Sequence, residues 1–275
     1  SKSPMEPEVY DVSTDMPIPG QKVVIYGKYL TNLTAVNLCG EIDIDINTVE
    51  TTEAMDKLTF TMPEQLPTAE SNGILTVTTL GGRATLPFYR YDWIYEDFDG
   101  NGTTIDWGWG TNNFGGNPAW GWPALPASCP ITMKSGNFAY FEAYTSWWDH
   151  NFLWNAKATP EGIDPKTPLS KIELRYEVYL HELPTTATTM TSTITVFKQE
   201  KAGIPIVDRA TGETMPGQWM SVAVPLTEFA PSAATYADIC ALNVGDGDFK
   251  IYLGYDNAGD FVIIAYDNFR LYVKE

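Results

Sequence analysis

Residues 171–180, KIELRYEVYL, constrain the fold class more than any other stretch of the chain. Ile172, Leu174, Tyr176, Val178 and Leu180 alternate with Glu173, Arg175, Glu177 and Tyr179. A period of two belongs to an extended strand with one apolar face and one more polar face. No apolar period near that of a helix persists for three turns. Comparable strand signals recur in STITVFKQ, QWMSVAVPL, DFKIYLGY, DFVIIAYD and FRLYVKE. Earlier ones are QKVVIYGKYL, AVNLCGEIDIDI, DKLTFTM, GILTVTTL and RATLPFYR. Glycine and proline, 22 and 19 residues, punctuate these runs as turn formers do. The chain is expected to be all-β.

The strands fall into two groups. Residues 1–90 read as a small sandwich, and residues 91–275 as a larger jelly-roll sandwich with aromatic loops. The boundary is set near Arg90, where composition shifts: seven of the nine tryptophans lie between residues 107 and 154. YDNAGDF, residues 255–261, is read as a hairpin loop between two apolar strands. Trp93 and Trp219 are assigned to the core, and His181 to a structural role at the end of its strand. Cys39, Cys129 and Cys240 are widely spaced and odd in number, and are expected to be free thiols.

The tryptophan segment carries the functional signal. WGWGTNNFGGNPAWGW, residues 107–122, pairs Trp107 with Trp109 and Trp120 with Trp122 around a run of turn formers. In an extended chain each pair shares one face, with glycine on the reverse, which gives a core little to pack. SWWDHNFLWN adds Trp147, Trp148 and Trp154, with Asp149, His150 and Asn155 to supply hydrogen bonds. The apolar C–H face of a pyranose stacks on an indole, and its hydroxyl rim needs amides, carboxylates or imidazoles. A sugar-binding surface is therefore expected from these ten residues.

Charge narrows the partner. With 35 acidic residues against 17 basic ones, the net charge is −18. Such a chain repels nucleic acid, anionic membranes and acidic polysaccharides, leaving a neutral polysaccharide as the expected ligand. The chain opens SKSPMEPEV, and the expectation is a secreted or surface protein whose targeting segment has been removed.

Catalytic and metal motifs are weaker. GEIDIDIN places Glu41, Asp43 and Asp45 on one face of a strand, but within the small sandwich and far from the tryptophans. DFDGNG sets Asp97, Asp99 and Asn101 at alternating positions, with Gly108 where an EF-hand needs glutamate. It is read as an acidic turn that would also suit a structural calcium completed by Asp267; no other cofactor is expected. H-E-x-x-H, G-x-S-x-G and P-loop patterns do not occur.

Several of these features together resemble known families. Gly20, Tyr26-Gly27 through Leu30, Met62-Pro63, and Thr79 through Gly82 are similar to the landmarks of an IPT/TIG immunoglobulin-like domain. YEDFDG, SGNFAYFEA, the WW pair and YDNFRLYV resemble the C-terminal domain of cell-surface glycan-binding lipoproteins of starch-utilisation-like outer-membrane systems. The resemblance implies an immunoglobulin-like spacer and a jelly roll that captures a β-glucan (xyloglucan, mixed-linkage glucan or laminarin) without cleaving it. It also implies a lipidated N-terminal cysteine, an outward-facing position on the outer membrane, and a glycan-import complex as partner. GEIDIDIN is similar to the E-I-D-I-x-E signature of jelly-roll glucanases but lacks the second glutamate. Two alternatives stand beside this reading. A β-glucan hydrolase would draw its carboxylates from Glu96, Asp106, Glu142 and Asp149, whereas a protein adhesin would present the rings as a flat patch.

Overall fold

The computed structural model describes residues 4–102, 105–110, 113–114, 125–144, 151–156, 158–184, 190–245, 248–255 and 260–275. Within these, only the backbone is described for 105–110, 113–114, 143–144, 151–156, 248 and 255. The chain divides into two compact units. One runs to Tyr91 and includes Met133–Ser135; the other holds Asp92–Thr132 and Gly136–Glu275.

The first unit is built from β1 (Glu8–Val12), β2 (Lys22–Lys28), β3 (Leu33–Leu38), β4 (Ile42–Ile44), β5 (Glu50–Thr51), β6 (Lys57–Thr61), β7 (Ile74–Thr79) and β8 (Gly82–Pro87). These form two antiparallel sheets, ordered β1-β2-β6-β5 and β4-β3-β7-β8. Alternation decides which residues meet: Val23, Ile25, Leu58 and Phe60 from one sheet, and Val36, Leu38, Leu75 and Val77 from the other, are buried. AVNLCGEIDIDI, expected as one run, is two strands. Cys39 and Gly40 take φ of 60° and 72°, and the Glu41 N–H donates to the Leu38 carbonyl at 3.0 Å. Those are the backbone demands of a tight hairpin turn.

The second unit comprises β9 (Ile94–Glu96), β10 (Ile105–Gly110), β11 (Asn113–Phe114), β12 (Ala139–Tyr144), β13 (Asn151–Ala156), β14 (Ile172–Leu180), β15 (Met190–Val196), β16 (Gln199–Pro205), β17 (Trp219–Pro225), β18 (Asp248–Tyr255) and β19 (Phe261–Val273). One sheet runs β10-β13-β18-β15-β16 and the other β11-β12-β19-β14-β17, with β9 also paired to β19. A short helix, α1 (Tyr236–Leu242), starts at a capping box of Thr235 and Asp238. The core between the sheets gathers Leu174, Tyr176, Val178, Ile194, Val196, Met220, Val222, Phe249, Ile251, Ile264 and Phe269.

Three features of this unit go beyond what the strand patterns alone convey. β14 alternates as anticipated, yet its polar row is not solvated: every residue from Ile172 to Leu180 is buried. Arg175 donates to Glu173 at 2.9 Å, and Arg270 pairs with Glu177. The Arg175 guanidinium lies 3.7 Å from the centre of the Tyr272 ring, a cation–π contact. Secondly, DFVIIAYD and FRLYVKE are a single strand, β19. Asn268 takes φ 54°, and the pairing with β14 slips at that point, so the Asp-Asn step makes a bulge and not a break. Thirdly, the link after Tyr255 is no hairpin, because β18 and β19 belong to different sheets.

Candidate functional site

Four connections pass between the two sheets at one end of the large sandwich. Gly110 leads toward Asn113, Tyr144 toward Asn151, Leu180 toward Met190, and Tyr255 toward Phe261. Register puts these strand ends side by side: Gly110 faces Phe152, Asn151 faces Tyr252, and Met190 faces Tyr255 in one sheet. In the other, Tyr144 faces Phe261 and Leu180 faces Ile264. Trp147, Trp148, Asp149 and His150 belong to the second of these connections, and Trp120 and Trp122 to the stretch between β11 and β12. All six lie outside the described residues.

Backbone register assigns the remaining tryptophan positions to one face of the sheet or the other. Cross-strand partners lie on the same face of a sheet. Trp109 stands opposite Leu153, while Gly108 stands opposite Trp154. Trp154 is in turn opposite Phe249, a residue buried in the core. Trp109 therefore occupies the outer row and Trp154 the row that runs between the sheets. The register of β10 shifts between Ile105 and Gly108, so Trp107 sits within a bulge. Asn155 pairs with Asp248, in the outer row. The two tryptophans assigned to the core are buried: the Trp93 indole N–H donates to the Gly162 carbonyl at 3.1 Å, and Trp219 packs 5.8 Å from Phe138 and 5.7 Å from Tyr179, centre to centre. His181 stacks on Tyr179 at 6.2 Å.

The acidic groups are occupied by the fold. Asp97 accepts from the N–H groups of Asp99 and Asn101 and from the Asn101 amide at 2.9–3.2 Å. Asp99 accepts from the N–H of Asn137 at 2.8 Å, and Asp267 from that of Asn268 at 2.8 Å. Among the described residues no three His, Cys, Asp or Glu side chains gather as metal ligands would. Glu96, almost fully buried, accepts from the N–H of Phe98 at 2.6 Å. Burial, reinforced by Asp97 and Asp99, pushes its carboxyl up to about 8, and burial pushes Asp99 up to about 7. Glu142 accepts from Ser128 Oγ and from the Tyr140 hydroxyl at 2.7–3.0 Å.

Glu96 and Glu142 do not pair. On β19 their partners are Phe269 and Ile263, six residues apart, or about 20 Å along a strand. Carboxyls that cleave a glycosidic bond stand roughly 5–10 Å apart. Asp106 lies on β10 with only its backbone described. Glu41 is exposed in the first unit and held by Thr68, whose N–H and hydroxyl donate at 2.7 and 2.6 Å. Thr68 holds the Glu41 carboxyl below its usual range. A cavity of about 400 Å³ opens at the opposite edge of the large sandwich, between β16 and β17. It is lined by Ile204, Val224, Ser221 and an ion pair of Lys201 with Glu228 at 3.4 Å. No aromatic ring lines it, so it offers a sugar no stacking surface.

Sequence reasoning did not single out the outer face of the five-stranded sheet, because its residues are separated in the chain. Only the cross-strand register joins them.

Comparison with known proteins agrees with this architecture. An IPT/TIG domain-containing protein of Bacteroides ovatus is 28% identical over 280 residues, covering 99% of this chain and 54% of the relative. The chain thus spans about half the length of that curated relative. Among solved structures, one determined with a xylogluco-oligosaccharide has a TM-score of 0.76 at 24% identity, covering 98% of this chain and 58% of its own. SGBP-B from a complex xyloglucan utilization locus in Bacteroides uniformis has a TM-score of 0.74 at 24% identity, covering 98% and 74%. Residues 89–273 match the family profile described as the surface glycan-binding protein B xyloglucan binding domain. That match spans more than half of the molecule, and the chain belongs to the surface glycan-binding protein B family.

Proposed function

We propose that this chain captures a neutral β-glucan of the xyloglucan class at the cell surface and does not cleave it. The observation that carries the reading is the family match over residues 89–273, the region that also holds the seven tryptophans between 107 and 154. Trp109, Trp107 and the rings of 120, 122, 147 and 148 supply the stacking planes in this reading. Asp149, His150 and Asn155 supply hydroxyl contacts, and Trp154 supports the sheet from its inner row. The net charge of −18 favours an uncharged ligand. The separation of Glu96 from Glu142, each engaged by the fold, supports binding without hydrolysis. The first unit acts as a spacer. A lipid anchor in the outer membrane and association with a glycan-import complex complete the proposal.

Affinity electrophoresis through xyloglucan, mixed-linkage glucan, laminarin and an acidic polysaccharide tests it. Retardation by at least one neutral β-glucan, none by the acidic gel, and no release of reducing ends are expected. Migration unaffected by every neutral glucan, with capture of a protein partner instead, would favour the adhesin alternative. Selective membrane fractionation with pull-down from intact cells tests the anchor and the complex.

A further inference from the structure

The outer face of the five-stranded sheet continues beyond the tryptophans. Its first row reads Trp109 opposite Leu153, Leu153 opposite Lys250, and Lys250 opposite Thr195. The neighbouring row reads Asn151 opposite Tyr252, and Tyr252 opposite Thr193. Burial along β18 tells the two faces apart. Phe249, Ile251 and Leu253 are buried in the core, whereas Lys250, Tyr252 and Gly254 between them are half-buried. Tyr252 thus belongs to the open face, and among the described residues no hydrogen bond or ring contact engages its side chain. Beside it the face is flat: the Thr191 side chain occupies the place a Cβ on Gly254 would need. Strand spacing makes the sheet roughly 19 Å wide from β10 to β16, room for several consecutive pyranose rings.

We propose that Tyr252 is a further sugar-stacking ring, at the centre of a glycan track that runs from Trp109 across this sheet past Thr193. The inference rests on the glucan-binding reading above and adds to it a contact that none of the tryptophan motifs contains. A tyrosine ring offers a pyranose an apolar plane, and its uncommitted hydroxyl reaches the sugar's rim. The neighbouring Thr193 provides a second hydroxyl on the same row. Because Tyr252 lies two strands in from Trp109, only a ligand long enough to leave the tryptophan end touches it.

Calorimetric titration of the full chain with xyloglucan oligosaccharides of one and of several repeats tests the track. Tyr252→Ala should weaken the longer ligand about tenfold, the lower half of the range for loss of one stacked ring. The shorter ligand and the melting temperature should stay unchanged, and Tyr252→Phe should keep most of the affinity. Thr193→Arg, which crowds the same row from a half-buried strand position, should give the same length-dependent loss and serves if Tyr252→Ala folds poorly. Trp109→Ala is the control for the underlying reading. If it weakens both ligands while Tyr252→Ala and Thr193→Arg bind the longer one like the parent, the track is overturned and the tryptophan site stands. If none of the three alters binding, both fall.

Discussion

Trp109 and Trp219 respond to truncation in opposite ways. Trp109 stands in the outer row of the five-stranded sheet, so on the proposed reading Trp109→Ala should weaken β-glucan binding with no fall in melting temperature. Trp219 is buried against Phe138 and Tyr179, and its truncation leaves a cavity. Trp219→Ala should cost about 3–5 kcal/mol of stability. Titration and thermal melts on the two variants check both halves. Glu41, the most catalytic-looking residue of the sequence, is tied to Thr68 in the first unit. Glu41→Gln should leave glycan binding unchanged and lower the melting temperature slightly. Because the folded chain holds this carboxyl below its usual range, its contribution is present above pH ~4 and lost as pH falls. Glu96 and Asp99 behave in the reverse sense. Both sit above their unfolded values, near 8 and 7, so their contribution is complete below pH ~4 and lost as pH rises through 7 and 8. Between pH 5 and 8.5 the parent's melting temperature should therefore fall more than that of Glu96→Gln; parallel curves would contradict the assignment. Calcium followed by chelation should leave the melting temperature unchanged, since among the described residues no three carboxylates gather as cation ligands.

At the scale of strands, β14 and β19 form the most extensive pairing of the large unit and hold its buried Arg–Glu pairs. Arg270 and Glu177 are both fully buried and paired. Removing one partner strands the other in a medium that cannot solvate it, so Arg270→Met should destabilise by roughly 3–5 kcal/mol. Denaturant unfolding measures this, and a loss below 1 kcal/mol would show that the pair is dispensable. The same strand shows what sequence reading can reach. KIELRYEVYL announces its period because alternation is local, and β14 lies where that period places it. Burial of Arg175 and Glu177 is not local, since it depends on what covers the outer face, and the period alone does not reveal it. DFVIIAYDNFRLYV looked like two strands because Asp-Asn is a turn signal, whereas the register with β14 absorbs Asn268 as a bulge. β16, QEKAGIP, alternates too weakly to announce itself and exists through its pairing with β15. Tyr252 was hidden for a related reason. DFKIYLGY marks a strand, but only its cross-strand partners assign that ring to the face Trp109 shares.

Across the whole molecule, charge and architecture point to one kind of ligand. A surface of net charge −18 gains nothing from releasing counterions when it binds a neutral polysaccharide, so affinity should depend little on salt. The matched family profile covers the jelly roll and begins at residue 89, next to the division between the two units at Tyr91. Isothermal titration of the chain with a xyloglucan oligosaccharide at low and at moderate ionic strength, with the ligand recovered and analysed afterwards, separates salt-independent capture from cleavage. Saturable binding, dissociation constants within about twofold of each other at the two salt concentrations, and an intact ligand are expected. Binding weakened tenfold by salt, or recovery of shortened oligosaccharide, would contradict the proposed capture.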